Sequence, residues 1–163
     1  PVGKNPDYVA VNPTTQSVYV SNGSDGTVSV LSGGNVQVIA TVPVAPGPFS
    51  MAVDSGTDKI WIVSPKSNAV TVLDGRTNRV QTTIPVGRDP TNIALDPSNH
   101  TVYTSNRGDD NVSVIDGVKY SVVATIPVDV GPWVLLSDPS HHAIYVSNSF
   151  SKTVSVIDED QSE

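Results

Sequence analysis

The 163-residue sequence has no cysteine, one methionine and two glutamates. Without thiols it can build neither disulfide staples nor thiolate metal sites. That absence also suits an oxidising compartment, where a free thiol is a liability. Leucine is scarce too, at five, against 29 valines and nine isoleucines. Straight-chain residues fill helices, whereas β-branched ones pack well on strands. Helix bundles, coiled coils and α/β folds are therefore disfavoured. No apolar run approaches the ~20 residues of a membrane helix, so no membrane insertion is expected within this chain. Basic residues number nine against sixteen acidic ones, for a net charge of −7. They are scattered, and only Arg76 and Arg79 sit close together, beside Asp74. A nucleic-acid partner needs clustered Lys and Arg to displace counterions, so none is expected. The chain opens at Pro1 with no signal-peptide pattern and no initiator Met, which is expected of a processed or excised chain.

What is abundant is punctuation and repetition. Thirteen prolines and twelve glycines are spread along the chain. Pro1, Pro43, Pro85 and Pro127 are evenly spaced by 42 residues, and so are Pro6, Pro48, Pro90 and Pro132. Val28, Val70, Val112 and Val154 keep the same step, and Tyr19, Trp61, Tyr103 and Tyr145 form an aromatic column. The repeats fall at 1–42, 43–84, 85–126 and 127–163, the last stopping short.

Each repeat reads as four short strands. The first is Tyr8 to Val11, with copies at Met51 to Val53, Ile93 to Leu95 and Val134 to Leu136. Asn12-Pro13, Asp54-Ser55, Asp96-Pro97 and Asp138-Pro139 close it, and an Asn or Asp side chain can bond a nearby backbone N–H in such a turn. The second strand is Val18 to Val20 and its copies. The third, Thr27 to Leu31, alternates polar residues with Val, the period of a strand. The fourth is Val38 to Val42, Val80 to Ile84 and Val122 to Ile126. The last repeat has no copy of it and ends at Glu163.

Four short strands every ~40–45 residues is the period of a β-propeller blade. The expectation is an all-β propeller of four four-stranded blades in a single domain, the last blade lacking its fourth strand. A single sandwich of many strands is the alternative, but it needs no regular period. Blades stacked on one another bury both faces, which explains the near-continuous Val and Ile. Ala10, Ala52 and Ala94 suit an innermost strand crowded about an axis, a column that Leu136 breaks.

At these residues the sequence resembles the YVTN-type propeller repeats. Tyr19-Val20-Ser21-Asn22, Tyr103-Thr104-Ser105-Asn106 and Tyr145-Val146-Ser147-Asn148 carry the signature. Val112-Ser113-Val114-Ile115-Asp116 and Ala124-Thr125-Ile126-Pro127-Val128 match its third- and fourth-strand motifs, while Trp61-Ile62-Val63-Ser64 departs from it. The resemblance implies a cell-surface, secreted or periplasmic protein and a ring that usually has seven blades. It says little about activity, because such rings serve as interaction scaffolds and also occur in lactonases, lyases and quinoprotein subunits. Four repeats leave three arrangements: a closed four-bladed ring, a half-propeller whose two copies associate into a larger ring, or a piece of a longer propeller. An open arc exposes two apolar faces that seldom stay bare. Association or excision is the favoured expectation.

Loops joining the fourth strand to the next first strand, and second to third strands, share one face of a propeller. That face collects Lys4, Phe49, Lys66, Arg88, Arg107, Asp109, Trp133 and Phe150 as candidate binding residues. Phe49 and Trp133 stand where the other repeats have Asp7 and Thr91, and aromatics beside Arg have an interface composition. Packing on the following Pro-rich segment is the structural alternative. Asn22, Asn106 and Asn148 are read as turn residues tolerating left-handed backbone, and Asp74, Asp116 and Asp158 as turn caps. His100, His141 and His142 are the only histidines, and they are read as solvated turn residues. No nucleophile elbow, phosphate loop, haem motif or metal-ligand spacing stands out, so neither a catalytic residue nor a cofactor is assigned. The expected role is a non-enzymatic protein-binding scaffold outside the cytoplasm. The expected partner is a protein or extracellular polymer, with a homodimer closing a larger ring. A fragment of a lactonase- or lyase-like propeller is the alternative.

Overall fold

A computed structural model describes residues 1–158. The described residues form fifteen strands and one short 3-10 turn at Pro65–Ser67. Strands β1 (Pro6–Asn12), β2 (Ser17–Asn22), β3 (Thr27–Ser32) and β4 (Val38–Pro43) make the first sheet. The second holds β5 (Met51–Asp54), β6 (Lys59–Ser64), β7 (Ala69–Asp74) and β8 (Arg79–Pro85). The third holds β9 (Pro90–Asp96), β10 (Thr101–Asn106), β11 (Asn111–Asp116) and β12 (Ser121–Pro127). The fourth has three strands, β13 (Pro132–Asp138), β14 (Ala143–Asn148) and β15 (Thr153–Asp158). Each sheet is an antiparallel meander in chain order. The residues after Asp158, read above as lacking a fourth strand, lie outside the described residues. Most strands extend a residue or two past the apolar runs, because polar residues at their ends still pair.

The turns repeat as faithfully as the strands. Gln16, Asp58, His100 and His142 all take left-handed backbone, with φ of 57°, 55°, 59° and 50°. They close the hairpin between first and second strands. Just before them, Asn12, Asp54, Asp96 and Asp138 each accept a backbone N–H two residues on, at 2.9, 3.0, 2.8 and 3.1 Å. The Asn/Asp turn mechanism expected from the sequence thus operates in all four repeats. The capping role of Asp74 and Asp116 also appears: Asp74 accepts from Thr77 N (2.9 Å) and Asp116 from Lys119 N (2.8 Å).

The core lies between sheets. One face of the first sheet offers Tyr19, Val28, Val30 and Val42, and these pack on Met51, Ile60, Ile62 and Leu73 of the second. Trp61, Val70, Val72 and Ile84 of the second meet Ile93, Val102 and Ile115 of the third. Tyr103, Val112 and Val114 of the third meet Leu135, Ile144, Val146 and Ile157 of the fourth. In the first three sheets each aromatic sits mid-row opposite a small residue of its own inner strand, as Ala10 pairs Tyr19, Ala52 pairs Trp61 and Ala94 pairs Tyr103, whereas Tyr145 pairs Leu136. The large ring thereby reaches across to the next sheet. Because the second and third sheets bury both faces, their Val and Ile run without alternation.

Among the described residues the two outermost sheet faces are open. Val154 and Val156 in the last sheet are 61% and 60% exposed, whereas their counterparts Val28 and Val30 are 0% and 1% exposed. Val9 in the first sheet is 59% exposed, against 3% for its counterpart Met51. The described residues form an open arc of four propeller blades, not a closed ring. First strands line the concave side, around a hollow of about 500 Å³ bordered by Tyr8, Ala52, Ala94, Val134 and Leu136.

Candidate binding face

The loop face carries the candidate residues in successive pairs. Each pair is made where a loop between second and third strands meets the segment leading into a first strand. On the first blade, the Lys4 backbone N–H donates to Asp25 at 2.7 Å, and the Lys4 side chain is left exposed. On the second, the stem of Lys66 lies across Gly47, whose φ is 74°, and borders a hollow of about 180 Å³ with half-buried Phe49. The Phe49 carbonyl accepts from Ser21 Oγ of the preceding blade at 2.7 Å. Phe49 and Pro65 line the same hollow.

On the third blade Arg88 Nε donates to Asp109 Oδ1 at 2.5 Å, and Arg88 Nη2 donates to the Gly108 carbonyl at 2.8 Å. The Arg88 backbone N–H and guanidinium hold the Asp109 carboxyl below its ordinary range. Arg107 Nε donates to Asp89 Oδ2 at 2.7 Å, which orients its guanidinium plane. That guanidinium lies 4.9 Å from the ring centroid of Trp133, which belongs to the fourth blade. Trp133 stays 39% exposed and Phe150 69% exposed, the Phe150 ring lying over Gly131. The structure therefore brings together Arg107 with Trp133, Arg88 with Asp109, and Phe49 with Lys66. These pairs are strung along the face, one blade after another, with no single cavity at their centre. Sequence reasoning missed Asp89, which anchors Arg107; the two are adjacent only through folding.

The repeated asparagines have a different structural role from the one expected. Asn22, Asn106 and Asn148 are buried at strand ends and do not take left-handed backbone. Asn22 Nδ2 donates to Thr27 Oγ1 (3.0 Å) and Ser29 Oγ (2.9 Å), and Asn106 Nδ2 to Asn111 Oδ1 (2.7 Å) and Ser113 Oγ (2.8 Å). They tie second to third strands and are not a ligand ring. His100 also departs from expectation: it bonds Asp54 of the neighbouring blade at 2.9 Å instead of facing only solvent. His141 is exposed and bonds Asp138 at 2.7 Å.

The concave hollow is also lined by Ser137, whose hydroxyl is buried with no hydrogen-bond partner among the described residues. The amide of Asn92, the most polar side chain of the hollow, donates to Ser50 Oγ (3.0 Å) and accepts from Leu135 N (3.1 Å). Among the described residues no group of three His, Cys, Asp or Glu side chains could hold a metal ion, and no helix is long and apolar enough to cross a membrane.

The fold defines a class: an all-β protein built of four propeller blades. No protein-family profile matches the sequence, and no curated protein is similar to it at the level of sequence. Among solved structures it is similar to a chain of Kuenenia stuttgartiensis hydrazine synthase, with a TM-score of 0.88 and 23% identity. The match covers 96% of this chain and 47% of that one, so this chain spans about half the length of its structural neighbour. At this identity the likeness shows the fold, and the propeller architecture is thereby established.

Proposed function

We propose that this chain is a non-enzymatic scaffold module of YVTN-type repeats that binds a protein or extracellular polymer on its loop face, outside the cytoplasm. The observation that carries the reading is the Arg107–Trp133 stack. A guanidinium held by Asp89 lies on an indole ring that remains 39% exposed, and the Phe150 ring of the same blade is 69% exposed. Trp and Arg dominate the energetics of protein interfaces. Here their geometry is set before any partner arrives, which lowers the ordering cost of binding. The Tyr-Val-Ser-Asn and Val-Ser-Val-Ile-Asp segments support the repeat type. The cysteine-free composition supports an oxidising location.

Photo-crosslinking tests the reading. A crosslinking residue at position 133 or 150 should trap one defined partner from the extracellular fraction, and one at Ser98 on the opposite face should not. Titration of that purified partner should show Trp133→Ala and Arg107→Ala each weakening binding by tenfold or more. Equal trapping from both faces, or unchanged affinity in both variants, overturns it.

A further inference from the structure

We infer that the outer face of the fourth blade is a docking surface for the outer face of the first blade of a second copy, so that two copies close an eight-bladed ring. The three internal boundaries supply the template. At each, a row of apolar residues on one blade fits the opposite face of the next, and two kinds of polar link recur beside these rows, each seen at two of the three boundaries. The two ends of the arc carry matching halves of the same boundary.

The apolar half comes first. Internally, Tyr19 packs with Leu73, Trp61 with Ile115 and Tyr103 with Ile157. Trp61 also rests against Tyr120, with ring centroids 5.9 Å apart. In the first blade the positions of Leu73 and Tyr120 are held by Leu31 and Val36, one and two repeat lengths earlier. Leu31 and Val36 line an apolar hollow of about 680 Å³ with Pro1, Val2 and Val38. The corresponding aromatic of the fourth blade is Tyr145, which is 38% exposed where Tyr19 and Tyr103 are 0% and 2%. A knob thus stands at one end of the arc and a hollow of the same repeat position at the other.

The polar links agree. Ser21 and Ser105 Oγ donate across boundaries to the carbonyls of Phe49 (2.7 Å) and Trp133 (3.1 Å). Their counterpart Ser147 turns back to its own sheet, donating to the Val134 carbonyl at 3.2 Å. The matching acceptor on the first blade is the backbone carbonyl of Asp7. On the other side of the sheet, Asn12 Nδ2 donates to Asp58 (2.7 Å) and Asp54 bonds His100 (2.9 Å). The corresponding end residues are Asp138, whose carboxylate bonds Ser140 and His141 of its own turn, and exposed Gln16, whose amide can donate to that carboxylate. An interface that repeats an internal blade boundary is heterologous. Two such contacts related by a two-fold axis close the assembly without leaving an open end.

The test is the mass of the 163-residue chain in solution. Sedimentation should give a dimer of about 34 kDa, twice the 17.1 kDa chain. Val154→Glu and Val9→Glu each place a charge on one open face at a position already exposed, so the fold tolerates them. Each should shift the mass to monomer while the circular dichroism spectrum and melting temperature of the chain stay those of a folded propeller. Mixing the two variants leaves one intact pair of faces and should restore a heterodimer. A wild-type monomer at every concentration, open polymers, or a dimer insensitive to Val9→Glu each overturns the proposal. The last result would mean that like faces pair. This outcome is independent of loop-face binding, which is read by the crosslinks at positions 133 and 150.

Discussion

His100 Nδ1 lies 2.9 Å from Asp54 Oδ2, across the boundary between the second and third blades. The same two repeat positions are occupied by Asn12 and Asp58 one boundary earlier, where the Asn12 amide donates to the Asp58 carboxylate at 2.7 Å. Position is kept while chemistry changes, so the latch is a feature of the blade geometry. Asp54 is 4% exposed and also accepts from Thr57 Oγ1 at 2.7 Å and Gly56 N at 3.0 Å. Burial raises its pKa, and the hydrogen bonds from Thr57, His100 and Gly56 outweigh that and leave it lowered.

His100→Ala should therefore cost about 1 kcal/mol, and Asp54→Ala about 2–3 kcal/mol, since the second strips the acceptor from a buried turn as well as from the latch. Urea denaturation of the two variants checks the order. Equal losses would show that the inter-blade bond, not the turn, is what Asp54 supports.

Lys59 Nζ lies 2.5 Å from Asp74 Oδ2, with both side chains largely covered, and this pairing brings the Asp74 carboxyl down to about 2. A carboxyl whose folded pKa is depressed stabilises the fold above its unfolded value of 3.8 and loses that contribution as pH falls towards 2. The wild type should lose of order 1 kcal/mol in this window from this pair, a modest figure because the pair is partly solvated. Lys59→Met should flatten that part of the stability–pH curve. The check is urea midpoints measured between pH 2 and pH 5.

Gly117→Ala should destabilise by about 2 kcal/mol. A methyl group there would meet the His100 carbonyl oxygen at 2.1 Å and crowd the Trp61 ring at 3.4 Å. The oxygen belongs to the backbone of a hairpin turn and cannot swing aside. Gly34→Ala, where nothing lies within 4 Å, should be neutral. Paired thermal melts of the two variants separate close packing from any general intolerance of alanine in these turns.

Val36 takes φ of 56°, a left-handed conformation that β-branched side chains strongly resist. The equivalent residue of the second blade is Asn78, with φ of 54°. Val36→Asn should raise the stability of the isolated chain by up to about 1 kcal/mol, because asparagine tolerates this backbone. A melting temperature that stays level or falls would mean that the valine contacts in the hollow outweigh the strain.

Much of the fold was legible because the repeat is written in residues that act locally. Val28, Val70 and Val112 recur at the 42-residue repeat, each next-but-one to a further Val of its strand, and Asn12 and Asp54 announce turns whose hydrogen bonds span only two or three residues. Phe49 and Trp133 stood out for the same reason, as departures from a repeated pattern. The anchoring of Arg107 by Asp89 was not, nor was the bond from His100 to Asp54. Each joins residues whose proximity depends on how strands twist and how one sheet seats on the next. Asn22 and Asn106 look like turn residues in sequence because they border polar loops, but only pairing to the third strand shows that their amides are buried in the sheet.

By itself the sequence determined the blade: its four strands, its turns and the apolar content of both its faces, all properties of short-range backbone preference and side-chain size. Tertiary structure alone decided which faces meet. Tyr19, Trp61 and Tyr103 vanish into boundaries while Tyr145 remains open, though all four occupy one repeat position, because burial depends on having a neighbouring blade and not on the residue itself.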